Sequence, residues 1–198
     1  MLEKSKGLVV PKPKAVSQSR QGKHLATYKS CKEDRLHSVN MAYDGENFLT
    51  ADESRVDLWN IEKTNDTVYN LVDYERRHSA FEDERITSAA FNKNQGCVFL
   101  YTTSTGKINI CDLRERSDFH TRSSLTLEIS FKNNGLRSQI FNKWVDCVSE
   151  AKFVPGTHQI VSRDYMSVKL WDLRNTSSYN SKPLYSAQVT DYMERNLP

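Results

Sequence analysis

Three groupings in the sequence combine residue types that could do chemistry. Arg163-Asp164 has the arginine and aspartate of a phosphotransferase catalytic loop, where the aspartate accepts the proton of a substrate hydroxyl. Here Ser162 stands in place of the histidine such a loop needs, no asparagine follows at the required offset, and no glycine-rich loop lies upstream, so that role is excluded. Asp83-Glu84 offers two carboxylates for acid–base work, but they are adjacent in the charged stretch "YERRHSAFEDER" (74–85), where solvated charge is the simpler reading. The histidines (His24, His37, His78, His120, His158) and cysteines (Cys31, Cys97, Cys111, Cys147) lack metal-ligand spacing and any Cys-x-x-Cys. With no G-x-S-x-G, Walker loop or His-Glu-x-x-His either, the chain is expected to be no enzyme and to need no metal or cofactor of its own.

Arg163-Asp164 belongs instead to a structural pattern. "QIVSRDYMSVKLWDLRN" (159–175) reads as strand, polar turn, strand, with apolar residues flanking the turn. The pattern occurs twice more, in "NFLTADESRVDLWNIE" (47–62) and "VFLYTTSTGKINICDLRE" (98–115). Trp59, Cys111 and Trp171 hold equivalent places, 52 and 60 residues apart. Those steps exceed the roughly 40–45 residues of a plain WD repeat, so the excess is assigned to loops. A short strand precedes each copy, "HSVNMAY" (37–43), "ITSAAF" (86–91) and "VSEAKF" (148–153); another follows, "TVYNLVDY" (67–74), "SLTLEISF" (124–131) and "PLYSAQV" (183–189). Four strands per unit, with Trp-Asp near the end of the third, describe a propeller blade. The expected fold is therefore all-β: a WD-repeat β-propeller segment of about three four-stranded antiparallel blades (about 37–74, 86–131 and 148–189). "KHLATYKS" (23–30) is read as one strand of a preceding blade, which makes 23–198 the partial propeller and 1–22 an extended basic lead-in. Three blades and one strand cannot close a ring of about 4–8 blades, so the chain is expected to be a piece of a propeller or an open arc with exposed edges.

Composition narrows the class further. A content of 37% hydrophobic and 27% charged residues is that of a soluble globular chain, and no run of apolar residues is long enough to span a bilayer. The opening "MLEKSKGLVVPKPK" lacks the apolar core of a secretory signal, so a cytoplasmic location is expected, with the nucleus as a second one. Residues 1–32 carry a charge of +7, which leaves −4 for the rest. The basic segment has no interleaved aromatics for stacking bases, and a solvated tail is preferred over a nucleic-acid contact.

Within the blades, Asp52 and Asp164 each stand seven residues before their tryptophans, Trp59 and Trp171, in the turn between second and third strands. A carboxylate there can accept backbone N–H groups and brace the turn. The middle unit has Thr105 and Cys111 instead and is expected to be braced more weakly. His37, just before the first strand, is assigned to bond the turn aspartate rather than to catalysis.

The wording of the repeats goes beyond a generic pattern. "SRDYMSVKLWDL" (162–173), "LTADESRVDLWNIE" (49–62), "VDYERRHSAFEDERITSAAF" (72–91), "YTTSTGKINICDLR" (101–114) and the tail "VTDYMERNLP" (189–198) resemble the B-type, WD-repeat regulatory subunits of protein phosphatase 2A, over about the middle three of seven blades. The resemblance implies a non-catalytic regulator of a serine/threonine phosphatase. Such a subunit joins a helical-repeat scaffold subunit and a metal-dependent catalytic subunit, and directs the catalyst to phosphoproteins with basic flanks through an acidic propeller face. On this chain the positions are Glu53, Glu82, Asp83 and Glu84, with Arg76, Arg77 and Arg85 as departures from the family's pattern. The alternative readings are a WD-repeat interaction scaffold unrelated to phosphatase and a truncated inactive paralogue.

Overall fold

The structure, a computed structural model, describes residues 22–28, 35–63, 69–74, 84–115, 125–128, 147–175 and 182–188. Among the described residues twelve strands make three separate four-stranded sheets in chain order. The first sheet holds β1 (Ser38–Met41), β2 (Asn47–Ala51), β3 (Arg55–Asn60) and β4 (Tyr69–Asp73). The second holds β5 (Ile86–Phe91), β6 (Val98–Thr103), β7 (Lys107–Asp112) and β8 (Leu125–Glu128). The third holds β9 (Val148–Phe153), β10 (Gln159–Asp164), β11 (Ser167–Asp172) and β12 (Tyr185–Gln188), with one turn of 3-10 helix after β11. Every neighbouring pair is antiparallel, as the short connections require. The repeat of four-strand units read from the sequence is thus the architecture: three WD-type blades.

Ladder register confirms the repeat at residue level. Trp59, Cys111 and Trp171 lie opposite Phe48, Phe99 and Ile160. Two residues beyond those partners, Thr50 and Ser162 accept the indole N–H of their tryptophans at 2.9 and 2.8 Å. The middle blade has Tyr101 at that position, packed edge-on against Tyr74 of the first blade.

The core lies between blades. Leu49, Ala51 and Val56 of the first blade pack on Phe91, Phe99, Tyr101 and Cys111 of the second. In turn Leu100, Ile108 and Ile110 of the second pack on Ala151, Ile160 and Trp171 of the third. The middle sheet is apolar on both faces because it is packed between two neighbouring blades. The innermost strands run side by side. Ser38 Oγ and Asn40 Oδ1 on β1 accept the N–H groups of Ala89 and Phe91 on β5, and Thr87 on β5 donates its hydroxyl to Val148 C=O on β9.

The segment 23–30, read as one strand of a preceding blade, is described for residues 23–28, which pair with none of the three sheets. Tyr28 is instead laid edge-on against Phe48 and Trp59, with ring centroids at 5.1 and 5.7 Å, and its hydroxyl donates to Ile61 C=O. The segment caps the outward face of the first blade. The basic lead-in before it, residues 1–21, lies outside the described residues.

Candidate functional site

The second-to-third-strand turns of the first two blades meet the described ends of the β4–β5 connection, Tyr74, Glu84 and Arg85, at one rim. Of the three such turns in the chain, the first and third are built on aspartate. Asp52 Oδ1 accepts the N–H groups of Ser54 and Arg55 at 2.8 and 2.6 Å, and Asp164 Oδ1 accepts those of Met166 and Ser167 at 2.8 and 2.5 Å. Both are Asx turns in which the side chain replaces a backbone acceptor. Asp164 also binds Ser167 Oγ and the ammonium of Lys169, at 2.7 and 2.6 Å, with both charged side chains almost fully buried. Burial opposes the charge on Asp164, but the bonds from Lys169, Ser167 and Met166 prevail and hold its carboxyl below the ordinary range.

The middle turn differs. Register leaves five residues between Thr102 and Ile108, against four between Ala51 and Val56, and the extra length is taken up at Gly106 with φ of 86°. Thr103, not Thr105, begins this turn and accepts the N–H of Lys107. Thr105 donates its hydroxyl to Glu84 Oε1 at 2.6 Å, and Lys107 Nζ reaches Glu84 Oε2 at 3.3 Å. Glu84 therefore braces the middle blade from the neighbouring connection, which the sequence reading did not find.

This bears on the acidic residues predicted to face a substrate. Glu84 is buried, and its two oxygens are engaged by Thr105 and Lys107. Glu53 is at the rim, gripped by Arg85 Nη1 at 2.6 Å, with His37 Nε2 at 3.8 Å from its other oxygen. The His37 ring is thus beside Glu53 rather than Asp52, whose accepting oxygen is filled by the turn; the backbone N–H of His37 bonds Ala51 C=O. Glu82 and Asp83 lie outside the described residues. Among the described residues no group of His, Cys, Asp and Glu is placed to hold a metal ion, and no helix is long and apolar enough to cross a membrane.

A second polar cluster lies on the first blade. Asp57 is buried opposite Thr50 and Asn70, at the position that Lys169 holds in the third blade and Asn109 in the second, two residues before Trp59, Trp171 and Cys111 respectively. Burial pushes the Asp57 carboxyl up to about 6, and the neighbouring Asp52 adds to the rise. The folded state must ionise this group as pH climbs through about 6, whereas the unfolded chain has already done so near 3.8; the stabilisation present at low pH is lost over that interval. Asp57→Asn is expected to flatten the pH dependence of stability between these values and to raise stability at neutral pH by about 1–2 kcal/mol. Urea unfolding of both proteins at acid and neutral pH checks it, and an equal effect at both would assign the gain to something other than ionisation.

These blades, with aspartate turns and tryptophans bonded to a hydroxyl on the neighbouring strand, define a segment of a WD-type β-propeller, a fold that presents a rim rather than a catalytic pocket. The relatives agree. The chain is 33% identical over 162 residues, 82% of its length, to the beta isoform of the 55 kDa regulatory B subunit of serine/threonine-protein phosphatase 2A from Carassius auratus. It is 29% identical over 192 residues to the protein phosphatase PP2A 55 kDa regulatory subunit of Drosophila melanogaster, and 32% over 162 residues to the phosphatase 2A regulatory subunit sur-6 of Caenorhabditis elegans. These cover 96% and 82% of this chain. No family model matches. The chain is similar to these 55 kDa regulatory subunits of protein phosphatase 2A and spans about a third of their length, 35, 36 and 31% of the three relatives. Those relatives are named as regulatory subunits, not catalytic ones.

Proposed function

We propose that this chain is a non-catalytic regulatory module of protein phosphatase 2A, working in the cytoplasm and nucleus, that helps direct the catalytic subunit to phosphoprotein substrates. The observation that carries it is similarity running through 162 to 192 residues of blades and loops alike to proteins named for that role. Its partners are the scaffold and catalytic subunits. Affinity capture with the tagged chain tests this: recovery of both subunits is expected, and recovery of neither would favour a WD-repeat scaffold separated from phosphatase control.

The substrate-facing surface in this reading is the rim at Glu53; Glu82 and Asp83, outside the described residues, are assigned to it by the family resemblance alone. Arg85 moderates the charge of Glu53, so the negative potential is weaker than four free carboxylates would give. Exposed pairs contribute about 0.2–1 kcal/mol each, so reversal of Glu53, Glu82 and Asp83 to lysine together is expected to lower turnover of a basic-flanked substrate severalfold, less at high salt, with a neutral-flanked one unaffected. Reversal of Glu46 and Glu62, near the opposite ends of the strands, is the control. Equal effects of the two sets would remove the acidic rim from the mechanism.

A further inference from the structure

The ion pair at the rim is anchored more firmly than its exposure would require. Arg85, in the connection from β4 to β5, is held by its backbone: its N–H donates to Ser104 Oγ at 3.0 Å and its C=O accepts the N–H of Ser104 at 2.8 Å, both in the turn of the second blade. The next N–H, that of Ile86, donates to Glu53 C=O at 2.9 Å in the turn of the first blade. Arg85 is thus stitched to both turns, and from that anchor its Nη1 reaches Glu53 Oε2 at 2.6 Å. The His37 ring stands 3.8 Å from Oε1, so each oxygen of this carboxylate already faces a nitrogen of the chain itself. The pair is nevertheless open to solvent, with the Arg85 and Glu53 side chains 65 and 40% exposed. In the pairs Lys107–Glu84 and Lys169–Asp164, by contrast, the carboxylates are buried.

We infer that Arg85 sets the substrate class of this rim: it occupies Glu53 as a built-in cation, and the segment that binds there carries a basic and an acidic side chain next to each other, exchanging the internal ion pair for two pairs of its own. The inference rests on the substrate-facing reading of the rim given above. A lysine or arginine of an incoming segment gains Glu53 only by displacing a guanidinium of the same charge, so that exchange alone yields little. The displaced guanidinium cannot withdraw, because the backbone of Arg85 stays bound to Ser104; it remains beside the incoming cation and repels it. A carboxylate adjacent to that cation removes the repulsion and takes the guanidinium, whose fork of N–H donors matches a carboxylate. A segment with basic residues alone is therefore selected against by Arg85, one with acidic residues alone is opposed by Glu53, and a mixed pair satisfies both charges.

Binding of labelled peptides to the 198-residue protein, read by fluorescence anisotropy, tests the inference. The peptides are identical except for one adjacent pair of residues: Lys-Ala, Ala-Ala, and the mixed pair in both orders, Lys-Glu and Glu-Lys. The better mixed peptide is expected to bind about two- to fivefold more tightly than Lys-Ala, the range that one exposed ion pair contributes, with the difference shrinking at high salt. Arg85→Gln should abolish the preference by bringing Lys-Ala level with the mixed peptide, Arg85→Lys should keep it, and Glu53→Gln should remove the response to lysine in every peptide. All three substitutions leave the backbone bonds of Arg85 and Ile86 in place. A parent that binds all the peptides alike, or an Arg85→Gln variant that still prefers the mixed pair, overturns the inference. Dephosphorylation of phosphorylated versions of the peptides by a complex reconstituted with the scaffold and catalytic subunits separates this from the reading it rests on. Failure of the chain to capture those subunits, with the peptide preference intact, counts against phosphatase regulation and leaves the charge exchange standing; turnover that falls with Glu53→Gln but ignores Arg85→Gln sustains the acidic rim and overturns the role of Arg85.

Discussion

Trp171→Ala is expected to lower unfolding free energy by about 3–5 kcal/mol. Trp171 is 1% exposed, packed between the second and third blades among Leu100, Ile108, Ala151 and Ile160. Truncation leaves a cavity in a layer held from both sides, and it strips Ser162 Oγ of the indole donor at 2.8 Å. Cys111→Ser, at the equivalent place of the middle blade, is expected to cost only about 1 kcal/mol, because a small thiol gives way to a hydroxyl of nearly the same size. Urea midpoints of the two variants compare them directly. Equal losses would mean that Cys111 and Trp171 do not hold corresponding places in the packing.

Lys169→Met should rank next, with a loss of about 3–5 kcal/mol, since it leaves Asp164 charged, buried and short of its cation. Lys169 and Asp164 side chains are 6 and 0% exposed, so little water can replace the ammonium. The turn N–H groups of Met166 and Ser167 remain, which sets the loss below that of an isolated buried charge. Asp164→Asn in the same chain removes the orphaned charge and should recover part of the loss. The pH response gives a second check. In the parent the Asp164 carboxyl is held below 3.8, so its contribution is present above that value and is lost as pH falls through the lower folded value. Without Lys169 burial prevails, the folded value rises above the unfolded one, and acidification should then relieve the variant rather than weaken it. A variant that still loses stability from this group on acidification would show that the turn donors alone hold the charge.

The sequence by itself determined the elements and their repetition. "ITSAAF" and "VSEAKF" are strands from end to end, and Asp52 and Asp164 build the turns expected of them, because the groups involved are neighbours along the chain. Only the tertiary structure decided where the charges found their partners. Asp57, Asn109 and Lys169 occupy one slot of the repeat, yet nothing local reveals that the slot is buried or that Lys169 meets the turn aspartate while Asp57 meets like charge. Glu84 reads as part of an acidic loop and is instead folded inward onto Thr105 and Lys107, 21 and 23 residues away. His37 is beside Glu53, and Tyr28 is laid against Phe48 and Trp59 of the first blade. A period of two along the chain tells which side chains share a face; which other surface covers that face, and what dielectric and counter-charge it brings, is settled by contacts between blades.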